Sequence, residues 1–272
     1  LMPESGRIFY ELSQLYKGLN KSVDERLALY ENDMKNTFGR DDTTLDYTIL
    51  LVDKDRLDDA AKILEEHRFH TYEGGEGNLT NYHAWLHVLL GDREYKKGNY
   101  EKAYKLYETG LTFPKNYGEE KNVYVNDGHL YGGMARCLDK LGKDSAAYWE
   151  KACYTLGTPS INSYYNVLAF RKRNMPEEAE KVIEGMKNAY DSIMADVDRY
   201  PYFGVGAPAF MPFMYDCVKF NTTKALQIKG FTLLAEDKKN EVGKVLDELK
   251  NLNCGDINTI LLEKVLNEGN LD

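Results

Sequence analysis

Apolar and polar positions alternate with a period near 3.6 residues along almost the whole chain, which predicts helices rather than strands. The first segment, IFYELSQLYKGLN, places Ile8, Leu12, Leu15 and Leu19 on one face before the pattern ends near Asn20. The same order of helix, short turn and helix recurs to the C-terminus. We therefore predict an all-α fold.

The start of the second helix is marked by Ser22 and by Glu25 three residues later. A serine and a glutamate at this spacing form a capping box, in which each side chain satisfies a backbone N–H of the first turn. The helical pattern continues to Gly39, so we expect one helix over residues 23–39.

The segment HVLLGDREYKKGNYEKAYKLYETGLTFP carries the clearest repeat. Gly91 precedes the turn glycine Gly98 by seven residues, and Tyr100, Ala103 and Tyr107 follow at fixed spacings. This spacing resembles the tetratricopeptide repeat (TPR), in which small residues let paired helices approach and tyrosines fill the space toward the next pair. The resemblance implies a TPR-like right-handed solenoid of helical hairpins.

Weaker copies place Ala60, Ala147 and Ala179 at the position of Ala103. The intervals between Ala60, Ala103 and Ala147 exceed the roughly 34 residues of a TPR unit. They therefore predict inserted loops, one of them at about 67–78. We expect a single helical-repeat domain over residues 1–272.

A second irregular segment at about 198–220 contains three prolines, two glycines and seven aromatic residues. Proline and glycine at this density disfavour a regular helix. We expect the segment to lie across a groove of the array with its aromatic rings packed there. The alternative is that some of the rings line a ligand site.

Composition and charge narrow the classes of partner. The chain has 272 residues, of which 43% are hydrophobic, so a sizeable core is available. Its net charge of -9 disfavours nucleic acid and anionic membranes as partners. No apolar run approaches the roughly 20 residues that span a bilayer. No secretory signal is visible, so we expect a cytoplasmic protein.

The cysteines and the first residue each lead to one further expectation. Cys137, Cys153, Cys217 and Cys254 are scattered without a CxxC pair. We therefore expect reduced cysteines that pack as small apolar groups. Because the chain opens with Leu1, we expect a fragment of a longer protein.

Several stretches resemble, in order, one bacterial family of unknown function. They are YELSQLYKGLNKSVDERL (10–27), RDD (40–42), RFHTYEGGEG (68–77), HLYGGMARCLDKLGK (129–143) and PYFGVGAPAFMPF (201–213). In that family a β-sandwich similar to carbohydrate-active and sugar-mutarotase folds precedes a TPR array. The resemblance implies that this chain is the C-terminal helical half, separated from its sandwich.

The same resemblance offers no catalytic residues to carry over. Thr71 and Tyr72 stand where relatives are expected to have a proline and a tryptophan. An aromatic role therefore passes to Tyr72 only approximately.

Four of the five histidines, His67, His70, His83 and His87, are close in sequence. His83 and His87 have the i, i+4 spacing of zinc ligands on a helix. A metalloprotease helix would carry a glutamate directly after the first histidine, but Ala84 stands there. We predict histidines that pack between helices, with no metal or other cofactor; a zinc site including His67 or His70 is the alternative.

Catalytic motifs give little support for an enzyme. The serines lie at caps and turns rather than in a G-x-S-x-G elbow, and GGEG lacks the lysine of a phosphate-binding loop. Glu73 and Glu76 remain the one candidate carboxylate pair for glycoside hydrolysis. We expect them instead to cap the helix that begins near Asn78.

We therefore predict a non-catalytic scaffold that binds a protein through a concave groove and inserted loops. The candidate partners are the absent N-terminal domain, a second copy of the chain or another protein. The alternative is a helical half that completes the active site of a carbohydrate-processing enzyme. The candidate binding residues are Tyr72, Glu73, Glu76, Asn126, Asp127, His129, Tyr202 and Phe203.

Overall fold

The computed structural model describes residues 5–70, 77–120, 125–154, 157–200, 202–203, 207–208 and 216–268. Within these residues the fold is all-α, as predicted, apart from a two-residue ladder that pairs β1 (Tyr202–Phe203) with β2 (Ala207–Pro208) in antiparallel register. The helices are, in chain order, α1 (Gly6–Gly18), α2 (Val23–Glu31), α3 (Met34–Thr37), α4 (Asp41–Asp53), α5 (Leu57–Glu66), α6 (Asn78–Lys96), α7 (Tyr100–Thr109), α8 (Gly128–Lys140), α9 (Ala146–Ala152), α10 (Ser163–Lys172), α11 (Pro176–Ala195), α12 (Cys217–Ala235), α13 (Lys239–Asn253) and α14 (Ile257–Glu268).

From α4 onward, each helix packs against the next, as in a helical solenoid. The alternate helices α6, α8, α10, α12 and α14 also contact one another in succession, so they form an inner layer behind the outer helices α7, α9, α11 and α13. A hydrogen bond of 2.8 Å from the Tyr82 hydroxyl to the Thr48 carbonyl joins α6 to α4 in the same layer.

Sequence pattern explains which helices are inside. The inner helix α6 has buried residues on every side, whereas α5 and α11 bury only one narrow stripe each. The stripe of α5 is Leu57, Ala60 and Leu64, at the spacing of a single helix face. An amphipathic helix therefore lies outside, and a helix with little polar surface lies inside.

Short turns occupy one end of the array. Each turn that follows an inner helix spans five residues or fewer, and each contains a residue with left-handed φ between 57° and 80°. These residues are Asp55, Gly98, Gly142, Asn174 and Asp237. The left-handed conformation ends the helix and reverses the chain, so the turn role predicted for Gly98 is confirmed.

The long connections begin and end at the opposite end, because successive helices run antiparallel. They are 67–77, 110–127, 153–162 and 196–216, and we call the end that carries them the loop face. The insertion predicted at about 67–78 falls on the first of these connections, and its residues 71–76 lie outside the described residues. The one predicted at 198–220 is shifted, since α12 already begins at Cys217; its proposed packing lies outside the described residues.

The two ends of the array meet. Helix α14 contacts α4, and Lys264 lies 3.4 Å from the Asp55 carboxylate. The side-chain amide of Asn20 donates to the Lys250 carbonyl at 2.8 Å and accepts from the Cys254 amide at 2.9 Å. The solenoid is therefore closed on itself, and we call this junction the seam.

A glycine at the seam makes room for a buried arginine. The Arg26 side chain is only 2% exposed, and its guanidinium group occupies the space where a Cβ on Gly255 would lie. Leu50 approaches the same point at 2.9 Å. Any larger residue at position 255 would push these groups apart.

The predicted apolar face of α1 points away from the array. Ile8, Leu12, Leu15 and Leu19 are between 38% and 63% exposed. Phe9 is buried instead, on the face of α1 that packs toward the array. The spacing thus identified an amphipathic helix correctly, but its stripe stays partly exposed, and Ile8 and Leu12 line a groove between α1 and α2.

The second helix begins as predicted and ends early. Ser22 Oγ accepts from the Glu25 amide at 3.3 Å, and Glu25 accepts from the Ser22 amide at 3.0 Å. The expectation of one helix over 23–39 was wrong. The Asp33 side chain accepts from the Asn36 amide at 3.1 Å and starts the separate helix α3.

The close helix approach predicted at Gly91 is present. Tyr107 is fully buried, and a Cβ at Gly91 or Gly133 would lie within 2.7 Å of its ring. The Tyr107 hydroxyl donates to Asp92 at 2.6 Å, and Arg136 reaches the same carboxylate at 3.1 Å. The tyrosine is therefore held between two helix backbones and fixed at its tip.

The small residues of the weaker copies behave differently. Ala60 and Ala179 are buried like Ala103, whereas Ala147 is exposed, so its assignment was wrong. The turn before it, 141–145, is longer than the others and shifts the register of α9. Trp149 takes the packed position there.

Candidate interaction surface at the loop face

Asp41 organises the first part of the loop face. It is the first residue of α4, and its carboxylate lies 2.8 Å from His67 Nε2 and 3.2 Å from His70 Nδ1. The His70 amide also donates to Asp41 at 2.8 Å. One carboxylate at a helix N-terminus thus holds the beginning of the 67–77 connection.

Asn116 joins this connection to the next one. Its side-chain amide donates to the His67 carbonyl at 2.6 Å, and its own carbonyl accepts from the Phe69 amide at 2.8 Å. The Gly77 amide donates to the Glu119 carboxylate at 3.1 Å. Both described ends of the 67–77 connection are therefore fixed to the loop face.

His83 is a buried packing residue. Its Nδ1 pairs with the Tyr117 hydroxyl at 2.7 Å, and its Nε2 pairs with the Thr109 carbonyl at 3.1 Å. Both ring nitrogens are therefore already engaged. Burial lowers the pKa of His83, because an imidazolium loses hydration energy in an apolar setting.

His87 stacks on His83 with ring centroids 4.2 Å apart. Burial, together with the neighbouring His83, lowers the pKa of His87 to about 3. The two pairs His67–His70 and His83–His87 have separate partners. Among the described residues, no group of three or more His, Cys, Asp or Glu side chains is arranged to hold a metal ion.

The predicted site residue Asn126 is buried and committed to internal contacts. Its side chain donates to Asn166 Oδ1 at 2.6 Å and accepts from the Gly128 amide at 3.0 Å. Its carbonyl accepts from Asn162 at 2.9 Å. Asn126 therefore ties the connection before α8 to the start of α10, and Asp127 is the N-cap of α8.

His129 lies inside the ring of inner helices. Its ring stacks on Trp85 at 4.5 Å and lies 5.9 Å from Tyr165, while Trp85 and Tyr165 are 5.6 Å apart. Trp85 belongs to α6 and Tyr165 to α10, which α8 separates, so these rings meet in the interior.

The structure describes only some of the residues that the sequence predicted to bind a partner. Tyr72, Glu73 and Glu76 lie outside the described residues. Tyr202 and Phe203 form β1, opposite Pro208 and Ala207.

The sequence did not predict that the side chains of Asp41, Asn116 and Glu119 hold the loop-face connections in place. For Asp41 the available signal was its place before a helical pattern, where a carboxylate is favoured.

No protein-family model matches the chain. None of the helices in the described part of the chain is both long and apolar enough to cross a bilayer. All four cysteines are free; Cys137 and Cys153 are buried as small apolar groups, as predicted, whereas Cys217 and Cys254 are only half-buried.

Proposed function

We propose that this chain is a non-catalytic, TPR-like scaffold that binds a protein through its loop face. The observation that carries the proposal is the unequal length of the connections at the two ends of the array. At the end of the array that carries the short turns, which we call the turn end, each connection has five residues or fewer. The connections at the loop face are longer, and hydrogen bonds hold their described parts in place. Long loops on a rigid helical frame commonly form binding surfaces.

The contacts of the polar residues support a binding role. Asp41, Asn116 and Asn126 are used to hold the loops in place. The side chains that stay exposed on the same connections, such as Thr112 and Lys115, are available to a partner. The resemblance to the sandwich-bearing bacterial family makes a β-sandwich domain of the same protein our first candidate partner; a second copy of the chain or another protein is the alternative. The four free cysteines agree with a reducing compartment.

A carbohydrate-processing role for the parent protein is the second candidate. The observation that favours it is the anchoring of His70 and Gly77 at the loop face, because these two described residues flank Glu73 and Glu76 in the sequence. In that reading, the two carboxylates reach a sugar pocket on the sandwich. Sugar turnover by the full-length parent is the test. Glu73→Ala and Glu76→Ala with unchanged kinetics and stability would remove this candidate.

Site-specific photo-crosslinking in the source organism tests the scaffold proposal. A photoreactive residue replaces Thr112 or Lys115 at the loop face, and matched variants carry it at Lys97 or Lys143 on the turn end, all four positions being exposed. We expect a discrete protein or intramolecular product from the loop-face variants only. Equal yields of crosslinked product from the loop-face and turn-end variants, or no crosslinked product from the loop-face variants, would refute the proposal.

A further inference from the structure

An apolar groove of about 510 Å³ runs between α1 and α2. It lies outside the loop-face connections described above. The apolar residues that line it are Ile8, Phe9, Leu12, Tyr16, Ala28 and Leu29. We call it the α1 groove.

The exposed stripe beside the groove has the spacing of a helix-pairing surface. Ile8, Leu12, Leu15 and Leu19 follow one another at intervals of four, three and four residues. This is the apolar pattern of a coiled-coil interface, in which each apolar side chain inserts between side chains of a facing helix. An exposed apolar stripe of this kind fits a second helix better than an extended strand or a flat surface.

The charged residues around the groove indicate which charge a partner helix should carry. The charged side chains that line it are Glu25 and Asp33. Lys21 pairs with Glu25 at 2.8 Å, whereas the Asp33 contacts come from the uncharged Asn36. The chain as a whole also carries a charge of -9. A partner with basic flanking residues is attracted to this rim, while an acidic partner or an anionic membrane is repelled.

We propose that the α1 groove binds a basic amphipathic α-helix of a partner protein. Helix α1 has 13 residues, about 20 Å at 1.5 Å per residue, so a partner helix of similar length covers it. The apolar face of the partner lies on Leu12 and Leu15, and its basic side chains reach Asp33. This site is independent of the loop face, and either one can fail without the other.

A designed peptide tests the groove directly. The probe is a fluorescein-labelled 14-residue helix with leucines at coiled-coil spacing and lysine or arginine beside them. Its two controls keep the leucines: one has glutamate in place of the basic residues, and the other has the same composition in scrambled order. Fluorescence anisotropy with the purified chain should show saturable binding of the basic helix only.

Variants locate the binding. Leu12→Asp and Leu15→Asp should each weaken the basic peptide at least about tenfold, because a carboxylate would be buried against apolar side chains. Asp33→Asn should weaken it a few-fold, with the loss shrinking at high salt. Met175→Asp, at another exposed apolar side chain, should leave it unchanged. Melting curves of all four variants confirm that they remain folded.

Three results would overturn the proposal. The first is equal binding of the acidic and basic helices, and the second is binding that survives Leu12→Asp. The third is a different occupant: sedimentation showing a dimer that Leu12→Asp dissolves assigns the groove to a second copy. Flotation with phosphatidylglycerol vesicles that Leu12→Asp abolishes assigns it to a membrane.

Discussion

Acid is expected to destabilise this protein through His87. His87 is half-buried and its ring stacks on His83 at 4.2 Å, while its Nδ1 atom is buried and has no hydrogen-bond partner in the described structure. A proton on this buried nitrogen would add a charge that no hydrogen-bond partner among the described residues stabilises. For this reason the folded-state pKa of His87 falls to about 3, whereas an unfolded histidine has a pKa of about 6.5.

The sign and the size of the effect follow from this difference. Between pH 6.5 and pH 3, the unfolded chain holds a proton at His87 that the folded chain does not. The free energy of unfolding therefore falls as the pH falls, by about 1.4 kcal/mol per pH unit once the pH is well below 6.5. A change from pH 7 to pH 5 should remove about 2 kcal/mol through this one residue.

Urea denaturation at pH 7 and pH 5 measures the effect. Because carboxylates and other histidines also titrate, the quantity of interest is the pH-dependent loss in wild type minus that in His87→Gln. We expect this difference to be about 2 kcal/mol, with Asn81→Ala on the same helix behaving like wild type. An equal loss in His87→Gln and wild type would show that burial of His87 does not control the acid response.

The remaining predictions concern glycines. Gly91→Ala should lower the free energy of unfolding by about 1–3 kcal/mol, because its Cβ would lie 2.5 Å from the Tyr107 ring. Gly255→Ala should cost a similar amount, since its Cβ would overlap the Arg26 guanidinium group, and hydrogen exchange should quicken on both sides of the seam. Gly243→Ala is the matched control: nothing lies within 4 Å of its Cβ, so the higher helix propensity of alanine should stabilise α13 by up to about 1 kcal/mol.

Urea denaturation of the three glycine variants shows whether steric overlap of the added Cβ or the higher helix propensity of alanine dominates the change in the free energy of unfolding. If Gly91→Ala stabilises the protein as Gly243→Ala does, the close approach at Tyr107 is not a real constraint. If hydrogen exchange at the seam is unchanged in Gly255→Ala, Arg26 has room to move and the seam does not depend on glycine.

Local features of the fold were predictable because their signals lie within one or two helical turns. Ser22 and Glu25 form their capping box from side chains three residues apart. Gly98 ends a helix by its own left-handed backbone, and Gly91 marks the position where Tyr107 packs. In each case the residues that determine the structure are close in sequence.

The errors have equally physical causes. Asp33 competes for a backbone N–H and divides a segment whose apolar pattern is continuous. The stripe from Ile8 to Leu19 defines a helix face but not the direction in which that face points. A longer turn moved Ala147 out of its expected place, because the repeat spacing assumes a turn of constant length.

The features that join distant parts of the chain had no local signal at all. Asn20 binds the end of α13, more than 200 residues away in sequence. At the loop face, Asp41 holds both His67 and His70 although neither sequence neighbourhood indicates the other. Only packing of the whole array brings these groups together.

Closure at the seam changes how the array is expected to unfold. In an open row of repeats, each terminal unit has one neighbour and frays first, so stability is nearly a sum over adjacent pairs. Here the pair α13–α14 has neighbours on both sides, because α14 meets α4. Releasing any hairpin breaks two interfaces at once, so loss of structure is all-or-none rather than progressive from an end.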